Sequence, residues 1–455
     1  MVTFLPTRAG RLADVPSFDR AIGGAESNVA CGLAAAGHAV RWVSRVGSDG
    51  FGDHLVETVG GYGVDVSAVG RDSSRPTGVY FRTAGDRATD AHEVAYYRAG
   101  SAASAMSVEN VDLASVRAAR VLHLSGITAA LSEGCLALLR ALMAPGEDRP
   151  LVSFDVNHRA GLWRDAEGPR VLLELARGAD IVFVGEDEAE EAWGISGGPS
   201  AIRTALPEPG VLVVKQGGVG ATAFVSGAGR WELDEPRGGA ACPHSPAPLE
   251  IQAAAPSPDP KTGGTSQAGA GDTDPRTQSA GPSLPCTQPA GGRAARAASG
   301  SAENETSRAG MGDADPRLQG AGPPPRPTPS GSGSGSAENG TPSAWAGGTH
   351  IRSAPEPGTF VPALHVDVVA TTGAGDAFAA GFLSATLRGL PLKTRLRHGH
   401  LYAAAALTTP GDLATPPTRD TTDRLAAVAD DVWGTLRLGP GWTQAGTAPE
   451  EVRTP

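Results

Sequence analysis

The sequence predicts an α/β fold: a central, mostly parallel sheet flanked by helices, with a small β lid standing off it. Three observations predict it. From Val121 onward short apolar runs alternate with helical patterns, as strands buried on both faces of a parallel sheet do. Before them, Thr77–Thr83 and Glu93–Arg98 alternate polar and apolar residues, the mark of half-exposed strands suited to a lid. Near the end a strand, a two-glycine turn and an apolar helix follow one another around Thr371-Thr372-Gly373-Ala374-Gly375-Asp376.

Taken in order, Met1 to Phe18 is weakly patterned, and Val2-Thr3-Phe4-Leu5 is at most the tail of a strand. Gly23-Gly24-Ala25-Glu26-Ser27-Asn28 leads into an Ala-rich helix, Val29 to Ala36, stopped by Gly37. Val40–Val46 reads as a strand, 50–61 as a helix, and a further strand begins at Val64–Val69. Then come strand Val121–Leu124, helix Glu133–Met143 and buried strand Leu151–Phe154, which ends in Asp155-Val156-Asn157-His158-Arg159. Helix Pro169–Arg177, strand Ile181–Val184, an acidic helix start at Glu186 and strand Val211–Lys215 complete the repeat. After the glycine turn, helices are expected near His398–Leu407 and Thr421–Leu436, with a turn at Pro410-Gly411-Asp412. In open α/β sheets ligands gather beyond the carboxyl ends of the strands, where Asp155, Asn157, Arg159, Glu186, Glu188, Lys215 and Asp376 all fall.

The glycine turn carries the chemistry. His365–Val369 is the strand before it, and Phe378, Phe382, Leu383 and Leu387 recur behind it at helical spacing, so a helix opens near Gly375. Bare backbone N–H groups at a helix N-terminus make an anion site. Asp376 puts a carboxylate there, where it can accept the proton of a substrate hydroxyl while the N–H groups hold a transferring phosphoryl group. The letters alone do not suffice. Gly269-Ala270-Gly271-Asp272 repeats them with no apolar strand before and no periodic helix after.

The formal charge of −11 argues against nucleic acid or an anionic membrane as the main partner. The four cysteines, Cys31, Cys135, Cys242 and Cys286, show no C-x-x-C or metal-ligand spacing, which fits reduced thiols. With no apolar leader and no run long enough to span a membrane, a cytoplasmic location is expected. No G-x-x-x-x-G-K-[ST] occurs, which argues against a P-loop kinase. Between about 235 and 360 Pro, Gly, Ser, Ala and Thr dominate, and the composition predicts a long disordered insertion. The expected organisation is therefore a core in two parts, 1–234 (with the lid at about 62–99) and 361–440, interrupted at 235–360 and followed by a loose tail, 441–455.

With these pieces placed, the chain resembles the ribokinase (PfkB-type) family of carbohydrate kinases. Gly23 to Asn28 matches that family's first signature and Val369 to Gly381 its second. Within the family it looks most like the 2-keto-3-deoxygluconate kinases, through Tyr96-Tyr97-Arg98-Ala99-Gly100-Ser101, Leu124-Ser125-Gly126-Ile127 and Asp155 to Arg159 followed by Leu162-Trp163. The resemblance implies a ribokinase-like fold, ATP and Mg2+ as cofactors, and a sugar or sugar acid as acceptor. It implies Asp376 as catalytic base and Gly373, Ala374 and Gly375 as anion hole. Gly24, Asn28, Tyr80, Tyr96, Arg98, Arg159 and Asp412 would line the sugar site; Lys215, Gly217 and Gly220 would flank the nucleotide; and Glu188 would organise the metal. A homo-oligomer through the lid is also among its expectations.

Departures from the family pattern are equally specific. Gly185 stands where many relatives carry Asn, and Ala370 where many carry an Asp. The family's first strand is missing from the front, so the coding region is expected to extend upstream by about ten to twenty residues containing an apolar run. Two arginines in one pocket favour a carboxylate acceptor, because a guanidinium pairs with it bidentately. The alternatives are a kinase for a neutral sugar such as fructose or ribose, and a sugar-binding relative without activity.

Overall fold

The computed structural model describes residues 1–8, 10–83, 93–163, 168–226 and 357–444. The chain divides into two units, one formed by Met1–Ala241 with His350–Pro455 and the other by Cys242–Thr349. The second unit lies outside the described residues, as do most of the expected insertion and the end of the tail.

The first unit is built on a six-stranded sheet in the order Thr359–Pro362, Gly220–Val225, Val211–Lys215, Ile181–Gly185, Leu151–Asp155, Val121–Ser125. The last four run parallel and the first two join antiparallel, which gives the mostly parallel sheet that the apolar runs imply. Successive side chains of a strand point to opposite faces, and both faces here are covered. Ile181, Phe183, Val211 and Val213 pack with Phe378 and Phe382 on one side. Val182, Val184, Leu212 and Val214 pack with Leu139 and Leu172 on the other. The helices are Ala25–Ala35, Ala374–Leu387 and Leu392–Leu407 on the first face, Glu133–Met143 and Arg170–Arg177 on the second. Two of them cross closely: a Cβ on Gly381 would strike the His398 carbonyl, and one on Gly399 would lie 2.8 Å from the Phe378 ring.

Register decides which side chains meet at the carboxyl ends. Ser125 lies opposite Asp155, Asp155 opposite Phe183, and Gly185 opposite Lys215. One edge of the sheet thus presents Asp155, the helix start after Gly185, and Lys215 side by side.

The lid is larger than the alternation suggests. Val79–Arg82 and Val94–Tyr97 pair antiparallel as expected, but Val2–Pro6 is a full strand, parallel to Val79–Arg82 and antiparallel to Phe18–Ile22. Phe18–Ile22 escapes a reading by apolar pattern because Asp19 and Arg20 at its centre are exposed. Phe4 stacks on Phe81 at 4.7 Å, with Phe18 edge-on to the same ring. A further parallel pair, Ser44–Gly47 with Val69–Asp72, forms a separate small sheet. A cavity of about 540 Å³ has Val40, Trp42 and Val43 on its wall together with Val121, Leu122 and Leu124 of the main sheet's end strand.

Toward the C-terminus the expected single helix is two, Arg419–Ala426 and Asp430–Trp433. The break turns Trp433 into the core, where its indole N–H donates to the Pro362 carbonyl at 3.0 Å. Thr359 and Phe360, at the edge of the low-complexity composition, belong to the outermost strand. Among the described residues no helix is long and apolar enough to cross a membrane.

Candidate active site

Helix Ala374–Leu387 begins without a side-chain cap: Gly373 stands at its N-cap with φ 81°, a left-handed conformation that costs a residue with a Cβ about 1–2 kcal/mol. Its Cα lies against the Asp412 carbonyl, so a methyl group there would collide with backbone. The first N–H groups of a helix have no partners within it, and here, among the described residues, no side-chain cap supplies one. Gly373, Ala374 and Gly375 therefore form an uncapped helix start at which an anion is favoured.

Asp376 follows in the first turn. Its Oδ2 accepts from Asn28 Nδ2 at 2.9 Å, which fastens the start of this helix to helix Ala25–Ala35. The carboxyl is pushed up to about 7, first by burial and then by the charges of Asp155 and Glu26; the Asn28 hydrogen bond and Lys215 oppose this. Such a group exchanges a proton near neutrality.

Lys215, at the end of its strand, donates to both oxygens of Asp155 at 3.0 and 3.2 Å and has Glu188 Oε2 at 4.0 Å. Burial on its own would lower its pKa, but Asp155 and Glu188 more than offset this and hold it above its ordinary value. The ammonium lies 3.6 Å from where a Cβ on Gly375 would sit, so a fixed cation faces the helix start.

Glu188 reaches back to accept the Gly185 N–H at 2.7 Å, while Oε1 has Arg159 Nη1 at 3.4 Å. Among the described residues no three His, Cys, Asp or Glu side chains gather as a metal cage. Mg2+ commonly rests on one or two carboxylates, water and substrate phosphates. Glu188 is the carboxylate here that could face a metal of that kind, its oxygens meanwhile held by the Gly185 N–H and Arg159.

On the lid side, Arg98 lays its guanidinium over the Tyr96 ring at 4.4 Å, and Tyr96 lies 5.4 Å from Tyr80. Among the described residues, Arg98 Nε is buried without a hydrogen-bond partner. Its pKa is lowered, first by burial and in part by the positive charge of Arg159, so the two arginines act on one region. Arg159 is about half exposed and also donates to the His158 carbonyl at 2.7 Å. Gly24 caps helix Ala25–Ala35, its carbonyl accepting from Asn28 N at 2.8 Å. Tyr80 and Asp412 are both buried and hydrogen-bonded to each other. Asp412 Oδ1 accepts from Arg82 Nε at 2.8 Å, so both carboxylate oxygens are engaged within the protein.

Gly217 and Gly220 lie in the turn joining Val211–Lys215 to Gly220–Val225, closed by Gln216 N donating to the Gly220 carbonyl at 2.8 Å. Beside them Gln216 bridges Glu186 at 3.1 Å and Thr222 at 2.9 Å. Their positive φ values, 54° and 152°, are accounted for by this turn. Two residues matter more than the sequence pattern suggests. Asp155 fixes Lys215, and Arg82 fixes Asp412. Arg82 was legible in one respect: it sits two residues after Tyr80 on a strand, hence on the same face.

A family model described as pfkB family carbohydrate kinase matches residues 2–236 and 349–419. The chain is 34% identical over 222 residues to a 2-dehydro-3-deoxygluconokinase of Thermoproteus tenax, covering 48% of this chain and 67% of that one. It is 35% identical over 193 residues to the 2-dehydro-3-deoxygluconokinase of Bacillus subtilis, covering 42% and 59%. Against fructokinase-1 of Zea mays it is 35% identical over 198 residues, covering 43% and 60%. The matches thus span about three fifths to two thirds of these relatives' lengths. Among solved structures, a 2-dehydro-3-deoxygluconokinase from Thermotoga maritima superposes with TM-score 0.60 at 19% identity, covering 94% of this chain and 96% of that one. A putative ribokinase II from E. coli in complex with ATP and Mg2+ gives 0.59 at 16% identity, covering 93% and 95%. At such identity these likenesses concern the fold alone, which is ribokinase-like.

Proposed function

The chain belongs to the pfkB family of carbohydrate kinases, and from that premise we propose that it transfers the γ-phosphoryl group of ATP to a hydroxyl of a sugar acid of the 2-keto-3-deoxygluconate type. The observation that carries the reading is Asp376, a half-buried carboxyl raised to about 7 at the uncapped helix start, with Lys215 facing the same point.

In this reading Asp376 accepts the proton of the acceptor hydroxyl. The hydroxyl oxygen forms its bond to the γ-phosphorus as the bond from that phosphorus to the bridging oxygen breaks, and the electron pair leaves with ADP. Charge on the transferring group is met by the N–H groups of Gly373, Ala374 and Gly375 and by the Lys215 ammonium. Asn28 holds the Asp376 carboxylate in place. Glu188 is the residue that would face Mg2+, which when bound would supply positive charge to the phosphates. Arg98 and Arg159 would pair the acceptor's carboxylate; the unpartnered Arg98 Nε supports this, because a buried N–H without an acceptor has a bond to gain.

The fructokinase relative, as similar in sequence as the 2-dehydro-3-deoxygluconokinases, supports a second reading in which the acceptor is a neutral sugar. ADP release measured across sugar acids, fructose and ribose tests the two. We expect a sugar acid to be preferred in kcat/KM, with that preference lost in Arg98→Ala. Equal or better use of fructose by the wild type would overturn the acid reading and keep the kinase.

A further inference from the structure

Asp412 sits where four segments meet. Arg82 Nε donates to its Oδ1 at 2.8 Å, and the Tyr80 hydroxyl, on the same face of the same lid strand, donates to its Oδ2. Arg82 Nη2 also donates to the Pro410 carbonyl at 2.6 Å, so one guanidinium holds the turn at two points. A Cβ on Gly23 would meet both the Tyr80 hydroxyl and Asp412 Oδ2, which places the first glycine pair against the same carboxylate. The Asp412 carbonyl in turn rests on the Cα of Gly373. Arg82 is 1% exposed and Asp412 4%, so water does not loosen the pair.

We propose that Arg82 is a positioning residue for phosphoryl transfer, holding the anion-binding turn at Gly373 through Asp412 and so tying the lid strand to the reacting centre. A buried ion pair is weak evidence for stability next to well-packed apolar residues, whereas in some proteins such pairs fix a specific conformation. Here the geometry fixed is the backbone position of the turn that must meet a phosphate. A guanidinium can hold the Asp412 carboxylate and the Pro410 carbonyl at once because its donors form a rigid fork. A lysine offers one ammonium for both tasks. The inference rests on the kinase reading and extends it to a residue that does not touch substrate.

The test uses the full chain with Arg82→Lys, Arg82→Met and Asp412→Asn, together with the double variant Arg82→Met/Asp412→Asn. Displacements of about 1 Å at a catalytic centre cost up to about 10²-fold in rate. The expected result is a fall in kcat approaching that size in Arg82→Met, with KM for ATP unchanged and partial recovery in Arg82→Lys. The double variant should be no worse than the poorer single one, since both act through one contact. A lower melting temperature with wild-type kcat in the folded enzyme would show a purely structural ion pair and overturn the proposal. Crystal structures of the wild type and Arg82→Lys supply a readout that does not depend on turnover. The Pro410–Asp412 turn should shift relative to Gly373; an unmoved turn contradicts the proposal even if the wild type phosphorylates nothing. Absence of ADP release from the wild type with every sugar would instead count against the kinase reading.

Discussion

At the scale of single residues the account turns on Asp376. Asp376→Asn keeps the shape and the hydrogen-bonding partner Asn28 but removes the proton acceptor, and loss of a general base costs about 10²–10⁴ in rate. Turnover should fall by that factor while calorimetry finds nucleotide affinity nearly intact. The raised carboxyl also predicts a pH signature. Since the folded-state pKa, about 7, lies above the ordinary carboxylate value, the base is unprotonated only above that point, and kcat/KM should rise as pH increases through it. The same shift sets a stability trend. The folded state holds the proton more tightly than the unfolded chain, so ionising Asp376 penalises folding increasingly as pH rises toward 7, and fully above it. Asp376→Asn should therefore melt higher than wild type at pH 8, with the difference vanishing toward pH 4. A destabilised Asn variant at pH 8 would contradict the burial on which this reasoning depends. For Arg98→Ala, loss of a charged hydrogen bond to the acceptor should weaken acid binding by about 1.5–3 kcal/mol, read as KM for the sugar acid against an unchanged KM for ATP.

At the scale of elements, the glycine turn joins local conformation to function. Gly373→Ala asks a Cβ to occupy a left-handed φ and to enter the space of the Asp412 carbonyl. Relieving both requires the turn to move, so kcat should suffer more than melting temperature; the reverse order would mean that the turn is only a helix cap. The four parallel strands of the central sheet were legible as short apolar runs, Ile181–Gly185 and Val211–Lys215 among the most buried of them. Elements that depend on partners far along the chain were not. Phe18–Ile22 exposes its polar centre and gains its place from pairing with Val2–Pro6. Thr359–Pro362 finds its partner in Gly220–Val225, more than a hundred residues earlier in the chain. The helix expected over Thr421–Leu436 breaks because Trp433 has to reach Pro362, which no local pattern announces.

At the scale of the whole molecule, the sequence placed Asp376, Lys215, Glu188 and Asp155 at strand or helix ends; the register of the parallel strands brings the last three to one edge, and the packing of helix Ala374–Leu387 on the sheet brings Asp376 to it. The residue types could be read from spacing and resemblance; their partners could not. Asp412, expected to line the sugar site, is buried, and its two oxygens accept from Arg82 and Tyr80 of the lid strand. Lys215, expected to flank the nucleotide, is held by Asp155 and has its ammonium at the start of the helix that opens at Ala374. Such assignments depend on contacts between segments hundreds of residues apart, as Asn28 and Asp376 are, and those contacts exist only in the folded chain. The most direct measurement is the mass spectrum of 2-keto-3-deoxygluconate after incubation with ATP, Mg2+ and either the wild type or Asp376→Asn. The account predicts a singly phosphorylated acceptor, one ADP formed for each, and almost none of either with the variant. Product formed equally fast by Asp376→Asn would contradict the assignment of Asp376 as the base, and no phosphorylated product with any sugar would contradict the kinase.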